Sequence, residues 1–244
     1  SAPVGEPSAV DSFQALYHAT GTRKQNSAAD FILARLERLR ATAAAEARDA
    51  DADADEAIPT VAKIVVFAHH VSVLDHLSRR FAAAKASYVR IDGAVAGTLR
   101  QQRIAKFNSD VTCEIALLGV TACGVGIALP AASTCIFAEL PPDPGWLQQA
   151  EDRLHRPGQR GACVESVLCV GIGSRFDARH VARLTASLGA IRQVVDSSGT
   201  LPVLEADAAT SSIAAPSDTR ASADDTVARL RALRECDLLY VSKH

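Results

Sequence analysis

Apolar and polar positions along the chain change their period several times, and each change marks an element. From Ser27 to Arg48 the run SAADFILARLERLRATAAAEAR places Phe31, Ile32, Leu33, Leu36 and Leu39 at helical spacing behind Ser27 as an N-cap. A helix is expected there. It runs into DADADADEAIPT, a low-complexity Ala/Asp alternation that cannot bury enough apolar surface to order itself and reads as a solvated loop. Beyond it, short Val/Ile-rich runs (KIVVFA, YVRIDG, EIALLGV, TCIFAEL, VESVLCVG) alternate with amphipathic stretches (VLDHLSRRFAAA, LRQQRIAKF, WLQQAEDRLHR, FDARHVARLTASL). The short runs fit strands buried on both faces, and the stretches between them fit crossover helices. About five βα units in succession predict an α/β fold, an open parallel sheet sandwiched by helices. A Ser/Thr/Ala-rich linker follows, and DDTVARLRALRECDLLYV then predicts a last short helix with Asp224 or Asp225 near its start and Val227, Leu230 and Leu233 on one face. The expected organisation is a helical N-terminal region over 1–48, an acidic insert over 49–60, one α/β domain over 61–195, a linker over 196–222 and a terminal helix over 223–244.

Composition narrows the classes. The chain has 244 residues, 48% hydrophobic, enough for one sizeable core. A formal charge of -2, from 26 basic and 28 acidic residues, argues against a uniformly basic nucleic-acid coat and leaves room for a local basic groove. The six cysteines form no CxxC pair and several lie in apolar runs such as SVLCVG, which favours a reducing intracellular compartment over disulfides or zinc. No apolar stretch approaches the roughly 20 residues that span a bilayer, so no membrane partner is expected. The chain contains no methionine, and this suggests a segment of something longer.

In open α/β sheets, ligands gather at the carboxyl ends of the strands. Four stretches follow apolar runs. His69 and His70 close KIVVFA, but adjacent strand residues point to opposite faces, so the pair is a poor metal site. Asp92 and Gly93 close YVRI, and an ordinary turn explains them, with Gly93 allowing positive φ and Asp92 bonding nearby backbone. Gly124 and Gly126 lie in GVTACGVGI, where small residues let a backbone approach a phosphate or pack closely. Gln149, Arg153 and Arg156 stand at i, i+4 and i+7, which on a helix puts one amide and two guanidinium groups on one face. A planar, permanently charged fork suits a transferring phosphoryl group, though a solvated face can also carry two arginines.

The run QAEDRLHRPGQ, from Gln149 to Gln159, resembles motif VI of Swi/Snf-type helicase-like ATPases of superfamily 2. KIVVFAHH resembles motif IV, RIDGAVAGTLRQQRIAKFN the stretch after it, and LLGVTACGVGIALPAASTCIFAEL motif V with its strand. FAHH, FAEL and DPGWLQQAEDR are similar to the annealing-helicase branch, the A-like matrix-associated actin-dependent regulators of chromatin. LYHATGTRKQNSAADFIL resembles the brace-like segment that enters the second lobe in that branch.

The resemblance implies a RecA-like fold of the P-loop NTPase superfamily, as the second helicase lobe. It implies that Arg153 and Arg156 reach ATP phosphates across an interlobe cleft and that Gln149 aligns them or the attacking water. Gly124, Gly126 and Asp152 would line the nucleotide side, and Thr121, His69, His70, Asp92 and Gly93 would face DNA or the other lobe. ATP and Mg2+ would be held mainly by an N-terminal RecA-like lobe, because the chain contains no GxxxxGK[ST] loop and no acidic box; alone it is expected to be inactive. The implied partners are double-stranded or forked DNA, that N-terminal lobe, and a single-strand-binding protein or replication clamp, in a nuclear setting of fork remodelling and DNA repair. A chromatin-remodelling lobe, a small-molecule nucleotide-dependent transferase, and a non-catalytic DNA-binding module using Arg79, Arg80, Arg100 and Arg103 are the alternatives. The sequence departs from the family at Cys123, at the LPPDP turn and at Pro157. Because proline disfavours helical geometry in the residue before it, Pro157 would place Arg156 at a helix end.

Overall fold

The computed structural model describes residues 9–49, 62–124, 126–159, 164–171, 173–195 and 241–243. The acidic insert and the Ser/Thr/Ala linker lie outside the described residues. Helix α1 (Ala9–Asp49) precedes a sheet of β1 (Ile64–Ala68), β2 (Tyr88–Ile91), β3 (Ile115–Gly119), β4 (Thr134–Phe137) and β5 (Glu165–Leu168). Between them run α2 (Val71–Ala83), α3 (Gly97–Ser109), a 3-10 turn (Val120–Gly124) and α4 (Pro144–Leu154), and α5 (Arg175–Val195) follows. The strand order is β2-β3-β1-β4-β5-β6, the first five parallel and β6 (Val241–Lys243) antiparallel to β5. The alternation of buried strands and amphipathic helices therefore builds the expected α/β sheet. Most of the expected terminal helix lies outside the described residues, but its last part, Val241–Lys243, is strand.

Every residue of β1, β3 and β4 is buried, so side chains from successive positions feed two cores. One contains Val65, Phe67, Phe107, Leu118, Phe137, Leu147 and Leu154. The other contains Ile64, Val66, Leu74, Leu77, Phe81, Leu117 and Ile136, and α1 closes it with Ala28, Ala29, Ile32 and Leu36.

Helix α1 corrects the expected boundary. It begins at Ala9, and Ser27 lies half-buried inside it instead of capping it. The apolar stripe was hidden because its N-terminal half buries polar residues: Tyr17, Thr20 and Lys24 continue the line of Ala28, Ile32 and Leu36. Lys24 Nζ meets Asp177 Oδ2 of α5 at 2.8 Å, with side chains 2% and 1% exposed. Asp177 Oδ2 also accepts Gly171 N at 2.8 Å, and Ser174 Oγ accepts Asp177 N at 3.1 Å at the start of α5. A second buried cation, Lys63 Nζ, binds the carbonyls of Asp110 at 2.7 Å and Cys113 at 2.9 Å, and that of Phe107, where α3 ends. Cationic charge at a helix C-terminus is favourable.

Removing one partner of a buried pair leaves the other charge uncompensated. Lys24→Met is expected to cost about 3–5 kcal/mol in urea denaturation, whereas Arg80→Ala, which breaks the exposed contact with Asp30, costs about 1 kcal/mol or less. Equal losses would contradict the assignment of Lys24 as the pin between α1 and α5.

Candidate functional site

The carboxyl ends of the parallel strands carry three groups of side chains. At the end of β4, Glu139 is fully buried, and its Oε2 accepts the backbone N–H of His69 at 2.8 Å and of His70 at 2.9 Å. Glu139 Oε1 lies 2.6 Å from His70 Nδ1, and an ionised carboxylate can only accept, so Nδ1–H donates. The two histidines stand in a bend after β1, not on the strand, and both backbones turn to the same carboxylate. Helix α1 covers this bend. Tyr17 OH donates to Leu140 O at 2.5 Å, and its ring lies 5.2 Å from that of His69 and 5.0 Å from that of His70. Burial and the nearby Glu139 carboxylate push the Tyr17 phenol well above the ordinary range.

His180 of α5 completes this packing against Tyr17 and Phe176. Its Nε2 lies 2.8 Å from Pro141 O and its Nδ1 3.0 Å from Arg183. A carbonyl can only accept and a guanidinium can only donate, so the ring is neutral with its proton on Nε2. Burial holds the pKa of His180 below the ordinary imidazole value, and burial followed by the neighbouring His70 does the same for His69. Among the described residues no cluster of three or more His, Cys, Asp or Glu could hold a metal ion. Cys169, at the end of β5, is a buried thiol pushed up to about 12 by burial.

The second group surrounds Asp92 at the end of β2. Arg90 Nε donates to Asp92 Oδ2 at 2.7 Å and Arg90 Nη1 to Asp75 Oδ1 at 2.5 Å, while Ala94 N donates to Asp92 Oδ1 at 3.1 Å. The carboxylate therefore organises the strand-to-helix turn. Gly93 is not among the glycines with positive φ, and a Cβ there would meet nothing within 4 Å, which corrects the expected reason for glycine at this position.

The third group joins two stretches far apart in sequence. The 3-10 turn carries Thr121, exposed, and ends at Gly124; Gly126, with φ +48, opens the segment that leads into β4. Helix α4 packs on it through Ala150 and Leu154 against Val120, Ala122, Ile127 and Leu129. Asp143 caps α4 by accepting Gly145 N at 2.7 Å with Pro144 in the first turn, so the unusual LPPDP turn works as a helix start. The helix ends at Leu154. Gln149, exposed, and Arg153, half-buried, share one of its faces; Arg156 lies two residues past its end, as Pro157 requires. Arg156 is held there by its Nε on Asp152 O at 2.8 Å. The Arg153 carbonyl accepts Leu129 N at 2.8 Å, Gln159 Nε2 donates to Ala132 O at 2.9 Å, and Gly158 takes φ +96 beside Pro130. The bonds of Arg153 and Gln159 tie the end of α4 to the segment between Gly126 and β4, while Arg156 bonds back to α4 itself. Arg153 Nε is buried and has no hydrogen-bond partner among the described residues. Asp152 is exposed.

The arginines expected on a basic surface serve mainly as ties. Arg80 pairs with Asp30 of α1, Arg103 donates to Arg90 O, Arg100 to Val95 O at 3.4 Å and Arg79 to Asp75 O at 3.3 Å. Glu139, Tyr17, Lys24 and Asp177 were missed as site residues. An acidic residue closing the apolar run TCIFA was the one available signal.

The open parallel sheet flanked by helices is a RecA-like fold, and the helicase conserved C-terminal domain family matches residues 55–158. More particularly, about 40% of the chain is similar to SWI/SNF-related annealing helicases. It is 43% identical over 97 residues to mouse DNA annealing helicase and endonuclease ZRANB3, covering 40% of this chain and 9% of that protein. It is 44% identical over 98 residues to the Caenorhabditis elegans homolog of SWI/SNF-related matrix-associated actin-dependent regulator of chromatin subfamily A-like protein 1, covering 40% of this chain and 14% of that one. The chain thus spans a small part of the curated relatives it matches. A crystal structure of the C-terminal part of the Fun30 ATPase domain aligns with TM-score 0.41 at 32% identity, over 43% of this chain and 34% of that one.

A histidine whose folded pKa is depressed binds its proton more readily in the unfolded chain, so stability is fully present above the ordinary imidazole value and falls as pH drops below it. The denaturation midpoint is therefore expected to fall between about pH 7 and about pH 5, less steeply in His180→Asn. An unchanged slope in that variant would contradict the neutral, buried assignment of His180.

Proposed function

We propose that this chain is the second motor lobe of an ATP-dependent DNA translocase of the annealing-helicase type, active in the nucleus at replication forks and in DNA repair. The observation that carries the reading is the pair of arginines at the C-terminal end of α4. Arg153 sits at the end of α4 with its carbonyl bonded to Leu129 N of the segment that follows Gly126, and Arg156 lies just beyond, its Nε bonded to Asp152 O. A half-site for a nucleoside triphosphate fits these residues: Arg153 keeps a buried Nε without a hydrogen-bond partner among the described residues, and a Cβ at Gly126 would meet nothing within 4 Å, so a phosphate or ribose has room beside the turn.

In this reading Arg153 and Arg156 set planar cations against phosphate oxygens, Gln149 orients them or the attacking water, and Gly124, Gly126 and Asp152 line the nucleotide side. The Mg2+ nucleotide supplies the hydrolysable bond, and an N-terminal RecA-like lobe supplies most of its contacts. Thr121, His69, His70, Asp92 and Gly93 form the face toward duplex or forked DNA. His69, His70 and Asp92 are held by buried or ion-paired groups, which suits a face that must keep its shape while the lobes move. The names of the homologues, which are helicases, support this reading over a small-molecule transferase. A single-strand-binding protein or replication clamp is a further partner consistent with work at forks. Among the described residues no helix is long and apolar enough to cross a membrane.

An arginine finger contributes on the order of a thousandfold or more in rate. In the protein carrying both lobes, Arg153→Ala or Arg156→Ala is expected to abolish duplex-stimulated ATP hydrolysis while leaving duplex binding largely intact, and the 244-residue chain alone is expected to hydrolyse no ATP. Near-normal hydrolysis by both variants would overturn the assignment.

A further inference from the structure

We propose that Glu139 is the positioning residue of the His69–His70 bend and that it makes α1 a working part of the duplex-facing edge. The inference rests on the motor reading above and extends it to Glu139 and Gly21, to which that reading gives no role. Two elements converge on this one carboxylate. From the bend after β1 come two backbone donors, His69 N at 2.8 Å and His70 N at 2.9 Å, both on Oε2. From the same bend comes His70 Nδ1, at 2.6 Å from Oε1. From α1 comes Gly21, which is buried and so close that an added Cβ would fall 2.1 Å from Glu139 Oε1 and 2.9 Å from its Cδ.

Such a Cβ cannot be accommodated by swinging the carboxylate aside, because any swing surrenders the two backbone bonds that shape the bend. Gly21 therefore sets how closely α1 approaches, and the carboxylate carries that approach to His70. The rings around His70 come from the same helix and the same bend: Tyr17 at 5.0 Å, His18 at 4.7 Å and His69 at 4.8 Å between centroids. His18 is tied in turn to the first turn of α2, through Nε2 and Ser72 Oγ at 3.1 Å. A shift of α1 would then be felt at the bend through hydrogen bonds as well as through packing.

The arrangement also fixes the state of the His70 ring. With Glu139 ionised, Nδ1 carries the proton when the ring is neutral, and Nε2 remains an acceptor. An isosteric Glu139→Gln reverses this. The two backbone donors need the amide oxygen where Oε2 stands, so the amide NH2 faces Nδ1, which must now accept, and the proton moves to Nε2. A purely space-filling role would predict no such exchange.

The test has two arms. In the 244-residue chain at mildly alkaline pH, the imidazole nitrogen resonances of His70 should report the Nδ1–H tautomer in the wild type and Nε2–H in Glu139→Gln, with helix content retained. Gly21→Ala should shift the same resonances and lower stability, although alanine favours an isolated helix over glycine by about 1 kcal/mol. In the protein carrying both lobes, Glu139→Gln should raise the duplex concentration that half-saturates ATP hydrolysis several-fold, more than it lowers the saturating rate. An unchanged His70 tautomer, a silent Gly21→Ala, or an unchanged duplex requirement would each overturn the proposal. A wild-type ATPase indifferent to duplex would instead contradict the motor reading, a result separable from the tautomer exchange, which is read without any ligand.

Discussion

Burial of the central strands on both faces is the constraint from which the rest of this lobe follows. Because β1, β3 and β4 have no wet face, no polar side chain can emerge from the middle of the sheet without a desolvation cost. The chemistry is displaced to the strand ends, where the backbone turns and donors are still unsatisfied. The His69–His70 bend, the Asp92 turn, the 3-10 turn and Glu139 all stand on that one edge, and α4, whose Ala150 and Leu154 share a buried cluster with Val120 and Ala122 of the turn, brings Arg153 to its end there. The same burial explains why the polar groups that do enter the interior come with partners: Lys24 with Asp177, Glu139 with two backbone amides and a histidine, and Lys63 with three carbonyls.

Helix α1 is what converts an open sheet into a closed unit. Its C-terminal half buries Ala28, Ala29, Ile32 and Leu36 against one face of the sheet, a hydrophobic contact of the ordinary kind. Its N-terminal half binds through Tyr17, Gly21 and Lys24, which meet Leu140, Glu139 and Asp177. Apolar packing is tolerant of small shifts, whereas a buried ion pair and a short-range carboxylate contact are not. The two halves of α1 therefore divide the labour: the first turns define position, and the later turns supply most of the buried area.

These differences in physics also decide what could be read from the amino-acid sequence. The strands β1, β3 and β4 were legible because burial on both faces writes an uninterrupted apolar run, and the shared face of Gln149 and Arg153 because they keep a helical spacing, whereas Arg156, expected on the same face, lies past the end of α4. The end of α4 was legible too, through the steric demand of Pro157. The start of α1 was not, since its buried line passes through Thr20 and Lys24, whose partners lie far along the chain in a place no local pattern records. Glu139 closes an apolar run, but its role depends on Gly21 and on the bend after β1, and that convergence exists only in three dimensions. Gly93 was assigned a conformational reason that the turn does not need, because Asp92 and Arg90 organise it with side chains.

The role proposed for Arg153 and Arg156 is to complete a nucleotide site shared with a second lobe. The most direct test is a structure of the protein carrying both lobes with ADP and a metal-fluoride mimic of the transferring phosphoryl group. At least one of the two guanidinium groups is expected within about 3 Å of the fluoride, at hydrogen-bond distance. A closed cleft in which both arginines point away from the mimic, with its charge met entirely by the other lobe, would contradict it.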